Sequence, residues 1–181
     1  EEVKTYNFDL LIGTAYDDVI IAADHTAMEY IGGDGDDEIF GGVQDEVLEG
    51  GLGSDTLFGG AGEDVIRGGK GSDTLFGGAG QDVLTGGEGS DVFGLTGEDQ
   101  GLDIIKDFSA GDIVDLTRLG IGSKGELSLK EGTLTVNDYE YSGTILSRVD
   151  PQELSETALF LFENDDHAAF TTSNPLEHVI I

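Results

Sequence analysis

Large apolar side chains recur at every ninth residue through the middle of this chain: Ile39, Leu48, Leu57, Ile66, Leu75, Leu84 and Phe93. Neither the 3.6-residue period of a helix nor the simple alternation of an ordinary strand gives that spacing. The polar positions keep the same beat. An acid stands two residues before each apolar one, at Asp37, Glu46, Asp55, Asp64, Asp73, Asp82 and Asp91. Glycines open every unit, and from Gly32 to Gly94 seven nine-residue units follow one another without insertion, starting at Gly32, Gly41, Gly50, Gly59, Gly68, Gly77 and Gly86. The consensus is G-G-x-G-x-D-x-U-x, with U a large apolar residue. Turn preference accounts for the residue types, but not for a gap-free register, which is the mark of a repeat architecture.

Each position carries a physical role. Glycines at positions one, two and four permit positive φ and let backbone carbonyls converge without a Cβ in the way. The carboxylate at position six adds a hard oxygen, and carboxylate plus carbonyl oxygens are the ligands that Ca²⁺ prefers. Positions seven to nine read as a very short strand with one inward side chain, U. One buried Leu or Ile, worth roughly 1.5–3 kcal/mol, does not offset ordering nine residues at about 1–2 kcal/mol each. Something besides the core must hold such a fold.

These seven units resemble the repeats-in-toxin (RTX) proteins, a family of secreted bacterial proteins. The resemblance implies an all-β fold, a right-handed parallel β-roll with two nonapeptides per eighteen-residue coil, followed here by a β-rich C-terminal cap. It implies about five to seven Ca²⁺ ions, each between a loop and the loop one coil later. The ligands it implies are the glycine positions Gly33, Gly35, Gly51, Gly53, Gly60, Gly62, Gly69, Gly71, Gly78, Gly80, Gly87 and Gly89, with Asp37, Asp55, Asp64, Asp73, Asp82 and Asp91. Stacked partners lie eighteen residues apart: Asp37 with Asp55, Asp55 with Asp73, Asp73 with Asp91, and Asp64 with Asp82. The loop Gly41–Glu46 is the weakest, because Gln44 replaces a glycine and Glu46 an aspartate. The resemblance also implies type I secretion, an extracellular location, and upstream domains in the same polypeptide.

The flanks divide the chain into 1–31, 32–94 and 95–181. Gly13-Thr14-Ala15-Tyr16-Asp17-Asp18-Val19-Ile20 is a degenerate unit with Asp18 at position six, which makes Asp18 a further candidate calcium ligand. From Ala22 to Ile31 the period breaks, which predicts a bulge or cap on the first coil. After the array, Asp103 lies three residues beyond the eighteen-residue partner of Asp82, so a short insertion would deliver it to a last ion site; Asp107 is a weaker candidate. From Gly125 onward alternation predicts short strands with turns at Glu131-Gly132, Asn137-Asp138 and Ser142-Gly143. A short helix is predicted from Asp150-Pro151. Two more strands, at Leu159–Phe162 and His178–Ile181, bracket a turn at Asn164-Asp165-Asp166.

Composition sharpens this picture. Thirty-eight acids against eight bases give a formal net charge of -30 over 181 residues. Self-repulsion on that scale opposes compaction and speaks against nucleic acid as a partner. Cysteine is absent, so no disulfide staples the fold. The longest apolar stretch, Ala158 to Phe162, is too short to span a bilayer, and the opening Glu1-Glu2 has the look of a fragment's start. No His-Glu-x-x-His or Gly-x-Ser-x-Gly motif is present, which places the segment among binding rather than catalytic elements. His25, His167 and His178 have no metal-spaced partners. One feature exceeds the consensus: Phe40, Phe58 and Phe76 recur at position nine every eighteen residues, predicting a ring stack about 4.8 Å in repeat. That stripe is the candidate contact for a surface glycan or for self-association, and an adhesin or carbohydrate-binding module is the alternative function.

Overall fold

The computed structural model describes residues 10–22, 29–95, 101–119, 127–136, 139–150, 155–162 and 179–181. It is an all-β parallel roll. The strands are β1 (Leu10–Ile12), β2 (Val19–Ile21), β3 (Glu29–Asp34), β4 (Glu38–Phe40), β5 (Val47–Leu52), β6 (Thr56–Ala61), β7 (Val65–Lys70), β8 (Thr74–Ala79), β9 (Val83–Glu88) and β10 (Val92–Gly94). They are followed by β11 (Asp103–Ile105), β12 (Ile113–Asp115), β13 (Leu127–Val136), β14 (Tyr139–Asp150), β15 (Ser155–Phe162) and β16 (Val179–Ile180). Odd-numbered strands β1 to β11 form one parallel sheet, and even-numbered strands β2 to β12 the other. The chain thus crosses from sheet to sheet every nine residues and returns to the same sheet every eighteen.

Position eight points between the sheets. Ile39, Leu48, Leu57, Ile66, Leu75, Leu84 and Phe93 are fully buried and make one continuous core with Ile20 and Tyr30. Six roll strands, β3 and β5 to β9, are longer than the three residues predicted. Val47–Leu52 and its equivalents continue through positions one to three of the next unit, pairing Gly51 with Gly69 and Leu52 with Lys70. Glycine makes this extension possible. Gly51 adopts φ 120°, and a Cβ there would strike the carbonyl oxygen of Gly33 one coil above. Only positions four to six are left for the turn.

The break between Ala22 and Ile31 is narrower than expected. β1 pairs with β3, and β2 with β4, at an offset of nineteen rather than eighteen, so one extra residue separates β2 from β3. Tyr30 already occupies the core column, 3% exposed. A second insertion, of three residues, lies between β10 and β11: Ile104 pairs with Val83 and Ile113 with Val92.

At the C-terminal end both sheets are extended. β15 adds in parallel to β11 and carries β14 and β13 antiparallel, while β16 adds to β12. Beneath the last coil the core widens to Phe93, Leu95, Phe108, Leu116 and Val179, with the Phe93 and Phe108 rings 6.0 Å apart. The expected turns at Glu131-Gly132 and Ser142-Gly143 are not turns. They lie inside two long strands, opposite each other, with Gly132 paired to Gly143. Pairing runs on to Val136 with Tyr139. The predicted turns at Asn137-Asp138 and Asn164-Asp165-Asp166, the Pro151 helix start, and His25, His167 and His178 lie outside the described residues.

The three phenylalanines stack as predicted, at 5.0 Å and 4.7 Å between centroids and with planes 3° apart. The ladder stops where position nine becomes Gly94, against which the Phe76 ring lies. Arg118, in a 3-10 turn at Thr117–Leu119, places its guanidinium 5.0 Å from the Phe76 centroid, and Phe76 is buried. On the other sheet Glu49 and Arg67 are register partners, yet among the described residues the ion pair on that face is Lys70–Glu88, at 2.9 Å. Both its side chains are well exposed, so it contributes little.

Candidate metal centre

The turns of successive coils stack into two edges, and the position-six carboxylates form a column along each. Their two oxygens have separate tasks. Oδ1 accepts the backbone N–H of the position-six residue one coil earlier: Asp55 from Asp37, Asp73 from Asp55 and Asp64 from Glu46 at 2.8 Å, Asp82 from Asp64 at 2.9 Å, Asp91 from Asp73 at 3.0 Å. This bond locks the coil register, and the expected pairing of Asp residues eighteen apart holds throughout. The Glu46–Asp64 step, expected to be weak, has the same backbone bond as its neighbours.

Oδ2 is left over. In Asp37, Asp55, Asp64, Asp73, Asp82 and Asp103 it is buried and has no hydrogen-bond partner. Such an atom is costly in a folded protein unless something unseen satisfies it. Its surroundings add no donor. Oδ2 of Asp37, Asp55, Asp64 and Asp73 lies against the first glycine of its own loop, where the carbonyl oxygen of the next coil's first glycine also converges: Gly50, Gly68, Gly77 and Gly86 respectively. Gly33, Gly35, Gly51, Gly53, Gly60, Gly62, Gly69, Gly71, Gly78, Gly80, Gly87 and Gly89 all have positive φ. A Cβ at any of them would run into the backbone of the coil above, so these glycines hold the turns close enough for the oxygens to meet.

The electrostatics agree. Desolvation by burial pushes the carboxyls of Asp55, Asp73 and Asp82 up to about 6, and that of Asp64 to about 7, from an ordinary 3.8. Asp103 is raised well above its usual range by burial and by the Asp82 charge. The N–H bonds to Oδ1 pull the other way without cancelling the effect. Among the described residues no three acidic or imidazole groups converge on one point, so each cavity between loops offers one or two carboxylates completed by backbone carbonyls. An all-oxygen, anionic, unsatisfied set of this kind fits a hard divalent cation of the size of Ca²⁺.

The ends of the columns are built differently. Asp103 continues one column as expected, its Oδ1 accepting the Asp82 N–H at 3.1 Å. Asp112, which sequence reasoning did not single out as a stacking residue, continues the other, accepting the Asp91 N–H at 2.9 Å. The signal was there: Asp103 and Asp112 are nine apart, so the repeat resumes after the insertion. Oδ2 of Asp112 accepts the Ser109 N–H at 2.7 Å. Asp107 takes the N–H groups of Gly86 and Gly87, at 2.9 Å and 2.8 Å. At the other end Asp18 is half-exposed, and its Oδ2 accepts from Thr14 N–H and Oγ1 at 2.6 Å and 2.8 Å.

Comparison with known proteins places this geometry. The family profile described as "RTX calcium-binding nonapeptide repeat (4 copies)" matches residues 5–25, 30–57 and 58–93. Among solved structures, the AlgE6R3 subunit of the Azotobacter vinelandii mannuronan C5-epimerase is 29% identical, over 93% of this chain and 80% of that one, with a TM-score of 0.35. The AlgE6R2 subunit of the same enzyme is 26% identical, over 83% and 91%, with a TM-score of 0.36. A comparison with curated proteins finds no match. The three matched segments, all within the first 93 residues of the chain, are RTX calcium-binding nonapeptide repeats.

Proposed function

We propose that this chain is a calcium-dependent folding module of a larger extracellular protein, ordered by Ca²⁺ after export. The observation that carries this reading is the set of six buried Asp Oδ2 atoms without a hydrogen-bond partner. Bound calcium supplies the positive charge and the coordination shell that these oxygens lack. Asp37 with Gly50, Asp55 with Gly68 and Asp73 with Gly86 hold three ions along one edge; Asp64 with Gly77 holds a fourth along the other. Asp82 and Asp103, stacked on each other, hold a fifth. Asp18, Asp107 and Asp112 close the ends by hydrogen bonds instead.

A chain with a net charge of -30 and one core side chain per nine residues stays extended where calcium is scarce. It orders where calcium is millimolar, the regime of weak extracellular modules. That sequence of states suits passage through a type I exporter and later stabilisation of an attached domain. Glycan binding gains little from the Phe40, Phe58 and Phe76 stripe, because Phe58 has both ring faces stacked on its neighbours and Phe76 is buried. The test is equilibrium dialysis of the whole chain at millimolar calcium. About five bound ions are expected, at the lower end of the range that the repeat count implies; one ion or none would refute the assignment.

A further inference from the structure

One loop of the array is satisfied without a cation. In every other repeat the position-six carboxylate lies against the first glycine of its own loop, as Asp64 lies against Gly59. At Gly41 the nearest atoms belong instead to Gly59 and Phe58. The Glu46 carboxylate, one methylene longer, has turned beneath its loop. Its Oε2 accepts the Gly42 N–H at 3.2 Å and its Oε1 the Gln44 N–H at 3.3 Å. Glu46 is 3% exposed, yet no oxygen of it is among the unsatisfied buried atoms.

The exchange involves Gln44 as well. In four loops with glycine at position four, that N–H donates to the position-three carbonyl of the next coil: Gly35 to Leu52, Gly53 to Lys70, Gly62 to Ala79 and Gly71 to Glu88. Gln44 gives its N–H to Glu46. The backbone nevertheless stacks as elsewhere, since Glu46 N–H meets Asp64 Oδ1 at 2.8 Å and the Gln44 carbonyl lies over Gly62. The two N–H donors of its own loop take the part a metal ion would play for this carboxylate, and they offset some of the burial that raises its pKa.

We infer that Glu46 is a specificity residue that withholds the loop 41–46 from calcium and holds it closed with its own amides. It makes a metal-free rung within a metal-dependent array. This inference rests on the calcium reading above. Glu46→Asp in the full chain is the test, with bound calcium counted by equilibrium dialysis. The shorter carboxylate would fall beside Gly41 and the Gly59 carbonyl, so the variant is expected to bind one ion more than the wild type; an unchanged count overturns the inference. Glu46→Ala removes the carboxylate without supplying a ligand. It is expected to keep the wild-type count with a calcium midpoint raised less than in Asp73→Ala. A count lowered by one would make Glu46 an ion ligand, and a count raised by one would make it a mere obstruction; either overturns the inference. Wild-type protein that binds no calcium would instead defeat the calcium reading itself.

Discussion

Asp73→Ala is expected to remove a large part of the array's calcium-dependent stability, because this carboxylate serves two adjacent inter-loop sites by two routes. Its Oδ2, buried beside Gly68 and the Gly86 carbonyl, would hold the ion on its C-terminal side directly. Its Oδ1 accepts the Asp55 N–H at 2.8 Å and so fixes the loop on its N-terminal side. At calcium about tenfold above Kd, each site contributes about 1.4 kcal/mol. Losing two sites therefore costs about 3 kcal/mol, and stranding the buried Asp55 N–H adds about 1–3 kcal/mol. That is a large share of the 5–15 kcal/mol typical of a folded domain. Ser72→Ala, one residue away and exposed, should stay within about 0.5 kcal/mol. Thermal unfolding of both variants at fixed calcium checks this, and equal losses would show that the Asp column is not what holds the coils together.

Acid is expected to do part of calcium's work in the metal-free chain. Burial holds the folded-state carboxyls of Asp55, Asp73 and Asp82 at about 6 and Asp64 at about 7, above an ordinary 3.8. The folded state thus binds these protons more tightly than the unfolded state, and protonation favours folding. Their contribution is complete below about pH 4 and is lost as pH rises through 6 to 7. With chelator present, β-structure should increase on acidification from about pH 8 to about pH 5. In calcium the sign reverses: protons compete for the same Oδ2 atoms, so the calcium midpoint should rise as pH falls below about 7. Asp64→Asn should reproduce part of the acid effect at pH 8, whereas Asp36→Asn, on an exposed residue, should not. Circular dichroism across pH, with and without calcium, separates these outcomes. A metal-free chain equally disordered at both pH values would contradict the burial of these carboxylates.

Much of this architecture was legible in the residues because the period itself is made of side chains. The core column from Ile39 to Phe93, the stacking of Asp37 on Asp55, and the phenylalanine ladder all follow from counting nines and eighteens. Asp103 was reachable by allowing three extra residues. What counting does not reveal is the orientation of a carboxylate: that Oδ1 is spent on the coil above while Oδ2 is left free depends on backbone geometry between turns. Glu46 shows the same limit. As a letter it is a poor aspartate, and in space it is a closed hydrogen-bonded loop. Tyr30 was hidden because the residues just before it lack the glycines that announce a unit. Glu131-Gly132 and Ser142-Gly143 misled for the opposite reason, since turn-forming residues facing each other in two long strands look the same in sequence as two turns.

Calcium binding and folding of this roll are expected to be one event. The most direct measurement is a calcium titration of the chelated chain at neutral pH and low ionic strength, following β-structure by circular dichroism and bound ions in the same samples. Little β-structure is expected without calcium, followed by a cooperative rise at about 10⁻⁴–10⁻³ M that coincides with the uptake of several ions. A fully β-structured metal-free chain, or ions bound with no change in structure, would contradict it.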